Sequence, residues 1–319
     1  MPRKKRPVED RNCSVARTLD ILDDGWTFLA CRAPFFGIRR FDEIQRSLGI
    51  ARNLLSTRLQ RLVEHGIFER SAYQEKPPRY EYRLTEKGLD LYPAFIEMMR
   101  WGDEWLTDGN GPPLILHHKK CGSRFTPRVA CSECRGFVFA WDVRFKDGPG
   151  AGRSVRVPDR RRRRSSDPEV YNRGRNCSVA RTLSILGDRW TFLILREAFF
   201  GVGRFDELRR NLGIARNILA NRLQNLVANG IFRRRRYQSN PPRYEYQFTK
   251  KGVDLCGSNL AMIRWGDRWL ASKDGPPLLL VHKTCGNRFT PLVLCSNCGD
   301  VIRAREVRYE DGTLARDYS

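Results

Sequence analysis

The sequence predicts an α+β fold, mainly helical, built twice along one chain. Three observations predict it: a repeat at fixed offset, helical periodicity over most of each copy, and period-two alternation where that periodicity stops. Asn12-Cys13-Ser14 returns as Asn176-Cys177-Ser178, Trp26 as Trp190 and Cys134 as Cys298, always 164 positions on. Roughly three in five paired positions are identical, far beyond what shared fold physics enforces. A unit this long is no solenoid repeat, so each copy is expected to have its own core.

The expected organisation is a basic arm (1–11), a helical domain (12–110) with a small β-rich tail (111–145), a linker (146–175), a second helical domain (176–274) with its tail (275–309), and a C-terminal tail (310–319). The linker is rich in Gly, Pro, Ser and Arg without apolar periodicity, and is expected to be disordered. Its run Arg160 to Arg164 reads equally as a solvated charge run or as phosphate contacts.

With 319 residues and 40% hydrophobic content, the chain can bury two ordinary cores. A net charge of +23 means strong self-repulsion unless the partner is a polyanion, and nucleic acid is the expected one. The start "MPRKKRPVEDRNC" carries no apolar leader and no myristoylation pattern, and no apolar run approaches the ~18 residues of a spanning helix. A cytoplasmic, nucleoid-associated protein with no membrane partner is expected, in a reducing compartment where clustered cysteines point to metal or redox chemistry. No Gly-x-Ser-x-Gly, Walker loop, dinucleotide fingerprint or His-Glu-x-x-His occurs, so no enzymatic activity is expected.

Within the first copy, "CSVARTLDIL" and "WTFLACRAPFF" carry apolar residues at helical spacing, and "RFDEIQRSLGI" adds a helix whose Gly49 suits a left-handed cap. "ARNLLSTRLQRLVEHG" follows. On a wheel Leu55, Leu59, Leu62 and Val63 share one side, with Asn53, Ser56, Thr57 and Gln60 opposite. Two short helices meeting at a glycine, the second with a polar outer face, form the helix-turn-helix pattern that reads the DNA major groove. "IFERSAYQEKPPRYEYRLT" then alternates and is broken at Lys76-Pro77-Pro78, which reads as a β-hairpin wing. One long helix is expected from Glu86 to Leu106, with Trp101 and Trp105 on a core or dimer face. Pro34 and Gly25, where the second copy has Ala198 and Arg189, mark the first copy as the more drifted.

The expected DNA-contacting residues are Arg52, Asn53, Ser56, Thr57, Gln60 and Arg61 on the first recognition helix, with Arg216, Asn217, Asn221 and Gln224 on the second. Lys76 and Arg79 on one wing, and Arg234, Arg236 and Arg243 on the other, suit phosphate or minor-groove contact. Arg58 and Arg222 lie at the edge of the apolar side, where an ion pair is as plausible as a base contact.

These motifs in this order, "CSVARTL", "WTFL", "RFDE", "LGIARN", "GIF" and "PPRYEY", resemble the HxlR-type winged helix-turn-helix transcriptional regulators of bacteria. The resemblance covers Cys13 to about Leu106 and Cys177 to about Leu270. It implies, in each copy, a three-helix core, a wing and a long C-terminal helix. It also implies a sequence-specific regulator of double-stranded DNA, repression being the expected sign, that dimerises through its terminal helices. The copies would then pair within the chain as a covalent pseudo-dimer, or with a second chain as a homodimer. A redox- or electrophile-sensing cysteine at the start of the first helix is a further implication, and Cys13 and Cys177 stand there. Flanking arginines and a helix N-terminus favour a thiolate, whereas a small buried core residue is the plainer reading.

Each tail repeats one spaced set of a histidine and three cysteines: His118, Cys121, Cys131 and Cys134, then His282, Cys285, Cys295 and Cys298. Two ligand pairs, each with two intervening residues, fit a tetrahedral structural zinc, one ion per copy in a zinc-ribbon-like tail. Free or redox-active thiols are the next reading; a catalytic metal is disfavoured because the ligand set leaves no open position. His117 has no counterpart, since Val281 stands there, so His118 is the expected ligand. About 30 residues cannot bury enough surface to fold unaided, and a metal supplies the missing free energy. The competing functional expectation is an RNA-binding or protein-interaction module dominated by these tails.

Overall fold

The computed structural model describes residues 8–22, 24–76, 78–107, 109, 111–156 and 177–312. The Arg160 to Arg164 run and Pro77 lie outside the described residues.

In the first copy the elements are β1 (Val8–Arg11), α1 (Ser14–Ile21), α2 (Gly25–Arg32), α3 (Phe41–Leu48), α4 (Arg52–Glu64), β2 (Phe68–Gln74), β3 (Arg79–Leu84), α5 (Glu86–Leu89), α6 (Tyr92–Trp105), β4 (Leu114–His118), β5 (Pro127–Cys131), β6 (Val143–Asp147) and β7 (Arg153–Arg156). The second repeats the plan with α7 (Ser178–Leu186), α8 (Arg189–Phe199), α9 (Phe205–Leu212), α10 (Arg216–Ala228), β8 (Phe232–Gln238), β9 (Arg243–Phe248), α11 (Lys250–Val253), α12 (Cys256–Leu270), β10 (Leu278–His282), β11 (Pro291–Cys295) and β12 (Val307–Asp311). The mixed, mainly helical architecture in two repeated domains agrees with the sequence expectation.

Helices α2, α3 and α4 pack as the three-helix core of the first copy, and α8, α9 and α10 as that of the second. Asp24 and Asp188 cap α2 and α8, accepting from the Thr27 and Thr191 backbone N–H groups, which removes orphan donors at each N-terminus. Gly49 and Gly213 end α3 and α9 at φ of 55° and 60°, a left-handed turn that favours glycine. Pro34 marks a local difference between the copies: α2 stops at Arg32 and Ala33–Phe36 tighten into a 3₁₀ turn, whereas α8 runs on to Phe199. The wings are antiparallel hairpins, β2 with β3 and β8 with β9.

The expected continuous helix from Glu86 to Leu106 is two helices, α5 and α6. The second copy breaks at the same place with Gly257 where the first has Pro93, and in both the short helix is seated by a glycine: a Cβ on Gly88 or Gly252 would stand 2.3 or 2.2 Å from the Ile67 or Ile231 carbonyl oxygen.

The copies are not independent units. Helix α1 packs on α12 and α7 on α6, while α6 and α12 pack on each other. Four tryptophans define the seam. Trp101 and Trp105 donate to the Lys251 carbonyl and Asp254, and Trp265 and Trp269 donate to the Lys87 carbonyl and Asp90, at 2.8–2.9 Å. Arg100 and Arg264 add ion pairs to Asp254 and Asp90. Near the pseudo-twofold, Phe28 stacks on Phe192 with ring centroids 5.8 Å apart.

The tails interlock as well: β4 pairs with β12, β5 with β11 and β6 with β10, all antiparallel and all between copies. The boundaries drawn from sequence therefore shift. Residues 146–156, expected as disordered linker, complete β6 and form β7 against β1, part of the expected free arm; β12 runs past 309 to Asp311. The linker glycines read as flexibility but serve close approach. A Cβ on Gly148 or Gly150 would stand 2.3 Å from the Pro276 or Gly275 carbonyl oxygen.

Candidate functional site

On α4, Leu55, Leu59 and Leu62 are buried and Asn53, Ser56, Thr57 and Gln60 are exposed; on α10, Leu219, Leu223 and Leu226 are buried and Asn217, Asn221 and Gln224 exposed. Arg52 and Arg216 stand exposed at the two N-termini, stacked over Phe41 and Phe205. Several polar groups are held locally: Thr57 donates to the Asn53 carbonyl at 2.9 Å and Gln60 to Glu64 at 2.9 Å.

Arg61 departs from expectation. It is half-buried, and its guanidinium donates to the Asp20 carbonyl, turned from the exposed face. The two borderline arginines are ion-paired to the caps of the preceding core helices, Arg58 to Asp24 and Arg222 to Asp188. They position α4 and α10 rather than reach outward.

The wings differ in charge. β2 reads FERSAYQ, one acid against one base, while β8 reads FRRRRYQ with four arginines and no acid. Lys76, Arg79, Arg234, Arg236 and Arg243 are all exposed. Arg234 lies over the Tyr244 ring at 4.1 Å, and Arg236 donates to the Ser239 carbonyl at 2.6 Å at the wing tip.

The eight expected metal ligands do come together, but not in the expected sets. His118 and Cys121 meet Cys295 and Cys298; Cys131 and Cys134 meet His282 and Cys285, with the ligand atoms of each group within 4.8 Å of one another. The own-copy grouping is overturned by strand geometry. β5 is extended, so Pro127 beside the Cys121 knuckle and Cys131 at the far end are separated by about 14 Å of strand. Antiparallel pairing sets Cys295 opposite Pro127, and Cys131 opposite Pro291. The second copy's cysteines thus reach the first copy's histidine, and the reverse.

The spacing within each tetrad suits a shared ion. Cys121 Sγ lies 3.9 Å from Cys295 Sγ and 3.6 Å from His118 Nδ1; in the other, Cys131 and Cys285 Sγ are 3.9 Å apart and Cys285 Sγ is 3.5 Å from His282 Nδ1. A tetrahedral zinc with its usual bond lengths sets S···S near ~3.8 Å and S···N near ~3.6 Å. A disulfide needs about 2.05 Å, and all ten cysteines are free. A backbone hydrogen bond from Ser123 draws the Cys121 thiol down to about 6, and one from Asn287 lowers Cys285; burial raises Cys131 and Cys295. His117, the rejected alternative, pairs instead with Glu310.

Cys13 and Cys177 are 2% and 7% exposed, at the N-termini of α1 and α7. Arg32 donates to Cys177 Sγ at 2.7 Å, and Arg196 hydrogen-bonds Cys13. Each arginine comes from the other copy. Sequence reading found the thiols but missed these partners, because the contact exists only once the copies pair. Cys31 and Cys256, which have Leu195 and Tyr92 as counterparts in the other copy, are also buried.

Two helix-turn-helix units with wings and terminal-helix pairing define a class of regulatory proteins, and the comparisons identify it. The HxlR-like helix-turn-helix family matches residues 21–110 and 185–274, so this chain belongs to that family and carries its domain twice. An uncharacterized HTH-type transcriptional regulator of Mycobacterium tuberculosis (strain H37Rv) is 50% identical over 135 residues, 42% of this chain and 85% of the relative, which is therefore about one copy long. One from Synechocystis sp. (strain PCC 6803) is 39% identical over 95 residues, 30% of this chain and 70% of the relative. YvaP of Bacillus subtilis, also an uncharacterized HTH-type transcriptional regulator, is 36% identical over 91 residues, 28% and 84% respectively. Among the described residues no helix is long and apolar enough to cross a membrane.

Proposed function

We propose that the chain is a sequence-specific regulator of double-stranded DNA in which α4 and α10 are the two recognition helices of a covalent pseudo-dimer. The observation that carries this reading is the division of both helices into a leucine face seated on the core and an exposed face of Arg, Asn and Gln, beside a wing that in the second copy is strongly cationic. Short amide and guanidinium side chains supply the bidentate donors and acceptors that distinguish base edges, while wing cations neutralise phosphates. A net charge of +23 steers the protein to DNA. Because the exposed Ser56 and Thr57 correspond to Ala220 and Asn221, the two half-sites are related but unequal.

Each Cys₃His tetrad holds a structural zinc ion, since the closed donor set leaves no position for substrate. Repression is the expected sign, through occupancy of DNA that polymerase must use, and the site of action is the nucleoid. Cys13 and Cys177 are the candidates for a redox response; a guanidinium of the other copy lies against each, and an oxidant must first open the seam to reach the sulfur.

Selection of bound duplexes from random DNA tests the reading. A bipartite motif with unequal halves is the expected result. Failure to enrich any sequence, or equal preference for single-stranded RNA, overturns it in favour of an RNA-binding or protein-interaction role for the tails. A reporter carrying the recovered motif in its promoter gives the sign of regulation.

A further inference from the structure

We propose that the two zinc ions are staples between the copies, each ion taking half its ligands from either one, so that metal occupancy and pairing of the DNA-reading units are a single equilibrium. This rests on the reading of the tetrads as zinc centres. It goes beyond that reading in saying what the metal holds together.

Four observations carry it. Each tetrad takes a His-x-x-Cys knuckle from one copy and a Cys-x-x-Cys knuckle from the other. All three strand pairs of the tails cross between copies. The knuckles are also tied across: Thr126 N–H donates to Ser296 Oγ at 2.9 Å and Thr290 N–H to Ser132 Oγ at 3.0 Å. Finally, His118, His282, Cys131 and Cys295 are at most 2% exposed, so half the ligands are set in the interleaved core.

The consequence follows from linkage. An ion held within one copy binds equally well whether or not the copies are paired, and therefore leaves pairing unchanged. An ion with two ligands from each copy finds its four donors only in the paired state, so its binding free energy is added to pairing. The tails, too small for cores of their own, then act as a clasp that holds the terminal helices together and keeps α4 and α10 at a fixed spacing. A duplicated chain gains from this because the partner copy is always on the same polypeptide.

Metal content of full-length variants tests the proposal without reference to DNA. Purified protein is dialysed against a weak chelator and zinc per chain is measured, with cobalt substitution reporting thiolate coordination by its absorption bands. Wild type is expected to hold two ions. Cys121→Ser and Cys298→Ser each reduce the count to one, and the C121S/C298S double variant still holds one, because both residues serve the same ion. C121S/C134S, both changes in the first copy, holds none.

Own-copy sites predict the opposite: none for C121S/C298S and one for C121S/C134S, an outcome that overturns the staple. A wild type that binds no zinc overturns the metal reading itself. If C121S/C134S fails to fold, as judged by circular dichroism, the comparison of C121S/C298S with its two single variants still decides between the groupings. Wild-type protein that holds two ions yet binds no duplex would refute the DNA reading alone.

Discussion

Replacing Gly102 by alanine probes the closest approach between the copies. Gly102 on α6 faces the first turn of α7, where a Cβ would stand 2.4 Å from the Ser178 carbonyl oxygen and 2.8 Å from Thr182 Oγ1. Its counterpart Gly266 on α12 faces α1, 2.6 Å from the Ser14 oxygen and 2.8 Å from Thr18 Oγ1. Ordinary contact is 3.4–4 Å, so the helices must part by about 1 Å or the new methyl group overlaps backbone.

Neither obstacle yields easily. The carbonyls belong to helix N-terminal turns, and Thr182 Oγ1 is already engaged with the Met98 carbonyl at 2.8 Å and the Ser178 carbonyl at 3.0 Å. Alanine favours the helix over glycine by about 0.8–1.0 kcal/mol, while overpacking a close contact costs about 1–3 kcal/mol. With backbone on the far side the upper part of that range applies, leaving G102A about 1–2 kcal/mol less stable. G266A should lose a similar amount, and the two together about twice as much if they act independently. Urea unfolding followed by tryptophan fluorescence reads this directly, because Trp101 and Trp265 lie in the seam. A variant as stable as wild type, or more so, would mean that helix propensity outweighs the contact and that the seam is looser than described.

Asp103 and Asp267 are both pushed up to about 6, chiefly by burial and against the opposing hydrogen bonds from Ser178 and Ser14. Their folded values exceed the unfolded one, so between about pH 4 and 6 the native state binds more protons and stability falls as pH rises through that window. D103N and D267N should remove this slope and, at pH 7, be more stable by on the order of 2 kcal/mol each; unchanged pH profiles relative to wild type would contradict the assignment. N53A and N217A should relax base preference, with a loss of about 1–3 kcal/mol on the selected sequence, whereas R236A and R243A should weaken binding to all duplexes and flatten the salt dependence. Fluorescence anisotropy across matched and mismatched duplexes separates the two, and equal loss of specificity from both groups would sink the division of labour. Iodoacetamide added to native, metal-loaded protein should modify the buried Cys13 and Cys177 no faster than the equally buried Cys31 and Cys256. Rapid modification of Cys13 or Cys177 in mass spectra would show that the seam opens readily and would strengthen their sensing role.

Much of the helical domain was legible because periodicity is a local property. Leu55, Leu59 and Leu62 had to face inward wherever the helix lay, and Gly49 had to end α3. The eight residues that gather in the two Cys/His clusters were also legible, since their spacing in two knuckles is the pattern a metal site needs. What failed were statements about which segment meets which. The helix expected across 86–106 is two helices, and the first of them is seated by Gly88 beneath the Ile67 carbonyl, a contact 21 residues distant in sequence. Arg61 was assigned outward from its place on the wheel, yet it turns to Asp20 on a neighbouring helix.

By itself, then, the sequence determined the duplicated helix-turn-helix plan, the polar faces of α4 and α10, and the identities of the eight candidate ligands. Tertiary structure decided how those eight are partitioned and that Cys13 and Cys177 sit against arginines of the opposite copy. The reason lies in near-identity. Two copies with the same motifs satisfy the same local rules whether each closes on itself or exchanges strands, and only the extended length of β5 and β11, which holds the knuckles apart within a copy, makes exchange the arrangement that completes both tetrads.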